Sequence, residues 1–348
     1  MATEVIRADA DQAGASIEHR GGIVDRLLAF IDRLPGPAAA WWLAVGIVLA
    51  VVGHLFVWTN PARPIGTISD DVIAPALIFA WFAWLGHTLN KVGTWAFNEF
   101  RPALGDPAAE DGYRLQLTTL PDRYAVIGAV VAVAVVSFAY YVGVRPFRES
   151  VPADVDYVSA PLWGLASLAL GIVVMHTIRQ LRLVSRLSAV ARNVDIFKPG
   201  PINSFARLTA VSAIGLIAFV VAFMLYSPEQ PIAYVIQESA VLVIAAASFV
   251  LPLRVMHNRL VDEKARLMAD SQDRLKVVLS RVHDAVDQDD LGRAEQLRQT
   301  LTAVLAERDV LAKLHTWPWS AGTFRGFASA LILPIALILF TQVIDRVI

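Results

Sequence analysis

The sequence predicts an all-α, polytopic membrane protein with seven transmembrane helices, a cytoplasmic N-terminus, an extracytoplasmic C-terminus and a helical base in the cytoplasm. Three observations lead there. Hydrophobic residues make up 56% of the 348-residue chain and charged residues 18%, with a mean hydropathy of +0.54, a balance foreign to soluble domains of this length. Apolar windows able to cross a hydrocarbon core of ~30 Å recur along the chain. The charged residues gather in a few connections where helical periodicity continues.

The leader, 1–37, begins as a polar stretch that mixes Glu4, Asp9, Asp11 and Glu18 with Arg7 and Arg20. It reads as disordered and lacks the apolar core of a cleaved signal. Ile23, Val24, Leu27, Leu28 and Ile31 then recur at helical spacing, with Asp25, Arg26, Asp32 and Arg33 pointing elsewhere. This predicts an amphipathic helix, stopped by Pro35, Gly36 and Pro37, that lies on the membrane surface or packs on a cytosolic helix.

Residues 38–256 hold six apolar windows, at 38–58, 72–89, 124–144, 161–176, 208–226 and 232–256, and a seventh occupies 327–344. Trp41, Trp42, Trp58, Trp84, Tyr140 and Tyr141 stand near window ends, where interfacial aromatics belong. Pro75 interrupts the second window, and His87 and Asn90 follow it. Orientation follows from basic residues. Arg179, Arg182, Arg186, Arg192, Lys198 and Arg207 lie between windows four and five, and more lie between six and seven. Residues 227–231, between five and six, hold none.

Window four is expected to continue as helix through 176–193, and 195–201 to turn at Pro199 and Pro201. Window five should restart with Asn203 or Ser204 as N-cap. Residues 257–315 predict an antiparallel helical hairpin. Its first helix carries the i, i+4 pairs Asp262 with Arg266 and Asp270 with Arg274. A polar break at 287–290 precedes a second helix over 291–314 with Leu297, Leu301, Val304, Leu305, Leu311 and Leu314 on one face.

The last segment, 316–348, joins this base to the seventh span. Trp317, Pro318 and Trp319 form a coupling joint, two interfacial anchors around a helix break. Pro334, Ile338, Thr341 and Asp345 fall at i, i+4, i+7 and i+11, with Gln342 beside them. An apolar constriction followed by hydroxyl, amide and carboxylate groups suits a cation pore lined by several copies. The same stripe also suits a packed helix whose polar end marks the interface. Gln237 and Glu238 in window six, and His54 in window one, are ligand-pocket candidates because polar or ionisable groups at membrane depth are costly.

Other chemistry is poorly represented. Cysteine is absent and the net charge is −1, so no disulfide, thiol chemistry or nucleic-acid partner is expected. No histidines show metal-ligand spacing, and no cofactor or enzymatic activity is expected. His283 and Asp284 resemble a sensor-kinase phosphoacceptor, but nothing in the chain supplies a nucleotide-binding domain, and the histidine reads as solvent-facing. His176, His257 and His315 lie near the cytoplasmic boundary, as pH sensors or as bystanders.

Three stretches carry a resemblance: 99–104 (EFRPAL), 195–210 (DIFKPGPINSFARLTA) and 316–327 (TWPWSAGTFRGF). Together they resemble a family of uncharacterised multi-pass membrane proteins of archaea and bacteria. In architecture the chain also resembles the seven-transmembrane ion channel superfamily of insect odorant and gustatory receptors. That resemblance implies a homotetramer held by the cytoplasmic helices, a last helix lining the pore, and gating by an unknown small molecule. Thr341 and Gln342 come late in the last helix with no Thr-Tyr pair before them, so only the helix placement carries over. The expectation is a ligand-gated-type cation channel of the cell membrane, surrounded by membrane lipids. The alternative is a non-conducting receptor or scaffold whose hairpin binds a protein partner.

Overall fold

The structure, a computed structural model, describes residues 22–105, 110–139, 153–192, 194–226 and 232–347, with only the helical backbone over 338–347. Among the described residues there are helices and connecting turns and no strand. In chain order the helices are α1 (Ile23–Asp32), α2 (Ala38–Val57), α3 (Asp70–Leu104), α4 (Glu110–Thr118), α5 (Asp122–Ala139) and α6 (Ala153–Val190). They continue with α7 (Pro199–Tyr226), α8 (Ile232–Val250), α9 (Arg254–Asp287), α10 (Leu291–Lys313) and α11 (Ala321–Val347). Among the described residues, six stretches are long and apolar enough to cross a membrane: Ala38–Val57, Asp70–Leu104, Glu110–Phe138, Tyr157–Val190, Pro199–Leu225 and Glu238–Asp287. In α11 the described apolar stretch, Ala321–Leu337, is shorter.

The bundle is organised on α3, α6 and α7, which pack on one another. Against them lie α2 (on α3 and α6), α5 (on α6), and α8 and α11 (on α7). Phe82, Phe97, Phe100, Phe205 and Phe249 are fully buried along this axis. Within a bilayer such contacts are held by close packing, because lipid tails are as apolar as leucine. Small residues supply the closeness. The backbones of α5 and α6 meet at Gly128 and Gly171, where a Cβ on either would strike the other's carbonyl. A Cβ on Gly46 of α2 would come within 2.8 Å of Ala80 on α3.

Helix α3 is far longer than its apolar window. Asp70 and Asp71 favour its positive N-terminus, Pro75 is absorbed in the second turn, and the helix ends at Gly105 with φ +69°, a left-handed cap. Its 35 residues span about 52 Å, more than a bilayer core requires. The surplus enters the base, where the Phe100 and Phe205 rings lie 4.6 Å apart and the Arg192 amide donates to Ala103 O (3.0 Å). Here burial from water does stabilise, by about 1.5–3 kcal/mol for a fully buried phenylalanine.

One helix start and one charge pattern differ from expectation. Helix α7 begins at Pro199 and not after an Asn203 or Ser204 cap. Prolines in a first turn lack only amide hydrogens that have no helical acceptor there, so Pro199 and Pro201 start the helix instead of preventing it. Ser204 lies inside and donates to Pro201 O (2.8 Å). At Pro252 the sixth window breaks into a short 3₁₀ turn, Leu251–Leu253, before α9. On the hairpin, Arg266 pairs with Glu263 (2.6 Å) and Arg274 with Glu307 of α10 (3.4 Å), in place of the expected aspartates. The hairpin turn follows the polar break, with Asp290 accepting from the Arg293 amide (3.0 Å) as N-cap. Leu275 and Val278 of α9 pack with Val304 of α10.

Candidate functional site

The chain concentrates its specific chemistry where the apolar bundle meets the charged base. The connection from α10 to α11 is a non-helical strap, 314–320, with Pro318 buried in it. Pro318 carries no amide hydrogen to satisfy, so a buried turn costs less there. The flanking rings form a continuous stack. Trp317 lies on His257 of α9 at 3.9 Å and on Trp319 at 4.3 Å, with interplanar angles of 10° and 13°. Trp319 stacks on Phe249 of α8 at 5.2 Å, and Phe249 on Phe327 of α11 at 4.1 Å. His257 Nδ1–H donates to Thr316 O (3.0 Å), which fixes the imidazole plane under the indole. Each such contact contributes about 0.5–1.5 kcal/mol beyond area burial. The three expected joint residues are thus brought together with His257, Phe249 and Phe327. Phe249 is about 70 positions away in sequence, and only the unmatched aromatic density of TWPW hints that it needs a partner.

A cavity of about 660 Å³ opens beside this stack. Ile196, Pro199, Ile202 and Asn203 line one side and 312–317 the other, with Trp319 and Phe324 toward α11 and Leu260 and Lys264 from α9. Lys264 Nζ donates to Ala312 O (2.7 Å) and Leu314 O (2.8 Å), capping the C-terminal carbonyls of α10.

A second polar constellation spans α1, α3 and α6, and sequence reading did not assemble it. His176 Nε2–H donates to Asn90 Oδ1 (2.6 Å), and Gln180 Nε2 to Leu117 O (3.0 Å). One turn above Lys91, His87 Nε2–H donates to Asp32 Oδ1 (3.0 Å), which Lys91 also reaches (2.7 Å). Asp25 accepts from the Leu120 amide (3.3 Å), and Asp122 from the Ile23 amide (2.7 Å). Helix α1 therefore docks by its polar side and turns Ile23, Leu27 and Phe30 outward, as a helix lying in the membrane interface does. Arg179 lies over the Tyr124 ring at 4.4 Å. Buried Nδ1 atoms of His87 and His176 and Oε1 of Gln180 have no partner among the described residues, an arrangement that holds ordered water in other proteins.

The remaining sequence candidates lie on α2, α8 and α11. His54 is buried, its Nδ1–H donating to Ala50 O (2.8 Å) and its Nε2 accepting from the Ser69 amide (2.9 Å). It ties the end of α2 to the start of α3 and has no ring nitrogen left for a ligand. Glu238 is buried on α8, which packs on α7, whereas α2 packs on α3 and α6. The side chain of Gln237 lies outside the described residues. Pro334 is buried on the α11 stripe that also carries buried Phe327, facing the chain's own core. Ile338, Thr341, Gln342 and Asp345 continue α11, with side chains outside the described residues. No group of three His, Asp or Glu is placed to hold a metal among the described residues.

Comparison with family models, with curated proteins and with solved structures finds no match to this chain.

Proposed function

We propose that the chain is one subunit of a homo-oligomeric cation channel of the cell membrane. Each subunit spans the bilayer seven times, with the amino terminus in the cytoplasm and the carboxyl terminus outside. The observation that carries this reading is the hairpin. Helices α9 and α10 are rich in charge, yet Val277, Val286, Leu305 and Val310 are about half exposed, at 50, 54, 48 and 55%. In this reading another copy covers these exposed apolar side chains of the hairpin. A pore with one helix from each chain requires several copies, and the channel resemblance implies four.

In this reading α11 forms the pore wall, with Ile338 as the constriction and Thr341, Gln342 and Asp345 toward the outer mouth. Pro334 shares the stripe of Ile338 and Thr341 and leaves Ala330 O without its helical hydrogen bond. Because Pro334 itself is buried, this reading requires the bend that the missing bond permits to turn Ile338 and the residues beyond it toward the pore. The aromatic stack ties base to pore helix, so movement of the base on binding a small molecule reaches α11 directly. Protein reconstituted in liposomes should pass monovalent cations, and Ile338→Ala should raise the unliganded leak severalfold. An oligomer that passes no ion under any condition contradicts conduction and favours the non-conducting scaffold.

A further inference from the structure

We infer that the cavity beside the joint is a binding site for an anionic amphiphile, one apolar chain carrying a carboxylate or phosphate. The 195–210 and 316–327 stretches, far apart in sequence, converge on this cavity and supply most of its wall. Its volume of about 660 Å³ lies within the ~300–1,000 Å³ range of small-molecule sites. Ile196, Ile202, Trp319 and Phe324 make an apolar and aromatic surface suited to a hydrocarbon chain.

The polar part of the wall selects the charge. Lys264, Lys313 and His315 line the cavity, and no carboxylate does among the described residues. Lys313 is engaged by Asp309 (2.6 Å), so Lys264 is the principal cation. Two of its three hydrogens go to the Ala312 and Leu314 carbonyls, which aim the ammonium and leave one hydrogen for a ligand oxygen. Asn203 adds an amide donor on the opposite side. The cavity lies about one turn of α11 below the start of its apolar run at Phe327, level with the stacked tryptophans. An amphiphile entering from the adjacent leaflet would keep its chain on Trp319 and Phe324 and its head at Lys264. A bound molecule would contact α9, α10, the strap and α11 at once, so it would bear on the joint whether or not α11 conducts.

The test is photolabelling of the full-length protein in phosphatidylcholine nanodiscs with a diazirine-bearing stearate, mapped by peptide mass spectrometry. Label is expected on peptides covering 196–203 and 312–324, protected by oleate and not by oleyl alcohol or inorganic phosphate. Ala312→Phe, which fills the cavity, and Lys264→Gln, which removes the cation, should each lower that labelling at least fivefold while thermal melting shows both variants folded. Label confined to lipid-facing spans, labelling unchanged in folded Ala312→Phe, or protection by the alcohol or by phosphate as strong as by oleate overturns the site. The assay reads binding and not flux, so its outcome is separate from that of the channel proposal.

Discussion

At the end of α1 the Asp32 carboxylate accepts from the Lys91 ammonium at 2.7 Å and from His87 at 3.0 Å. Burial pushes its carboxyl up, but hydrogen bonding to Lys91 and the charges of His87 and Lys91 outweigh that and hold it below the ordinary 3.8. A carboxyl depressed in the folded state stabilises above its unfolded pKa and loses that contribution as pH falls through the folded one. Docking of α1 should therefore be intact at pH 5 and weaken once the pH drops below the usual carboxylate range. Asp32→Asn should reproduce the acid state at neutral pH, with faster hydrogen exchange over 23–32. The cost should stay under about 1 kcal/mol, because Asp32 and Lys91 are both about half exposed. A different magnitude applies at Phe249, fully buried between Trp319 and Phe327. Phe249→Ala removes two stacks and leaves a cavity, and a loss of about 3–5 kcal/mol is expected from thermal or denaturant unfolding in detergent. These two sites show unequal legibility. The helical spacing of 23–31 made α1 visible in sequence, whereas its partners His87 and Lys91 are more than fifty residues away. No local signal pointed from TWPW to Phe249.

Among the elements, α3 and α7 best show what hydropathy misses. The apolar window 72–89 stops where α3 meets Lys91, yet the helix continues to Leu104 because its base portion alternates exposed Asn98, Glu99 and Arg101 with buried Phe97, Phe100 and Ala103. A membrane-based window cannot see a helix that changes solvent midway. Pro199 and Pro201 read as breakers when they are starters, since a proline's effect depends on whether the turn before it already exists. The α6 extension and the hairpin were legible, because their periodicity persists through charged sequence. The α5–α6 crossing was not, because two single glycines 43 positions apart carry no pattern. Gly171→Leu should force those backbones apart, lower the melting temperature by several degrees and expose 122–139 to proteolysis, while Gly164→Leu, with open space at its Cβ, should change little.

On the scale of the whole molecule, three long helices cross from bundle to base, and the strap of 314–320 returns the chain to its last helix through stacked rings. This layout packs the strap against α8, α9 and α11 and leaves apolar side chains of the hairpin exposed. Sequence composition was enough for an all-helical, multi-pass reading. Which apolar residues of α9 and α10 remain exposed was not legible in the same way, since that depends on how the chain has folded. The most direct test of the account is the mass of the intact particle in lipid nanodiscs. Four copies of the 37.9 kDa chain are expected per particle, and a single copy in lipid would contradict a pore built from one helix of each subunit.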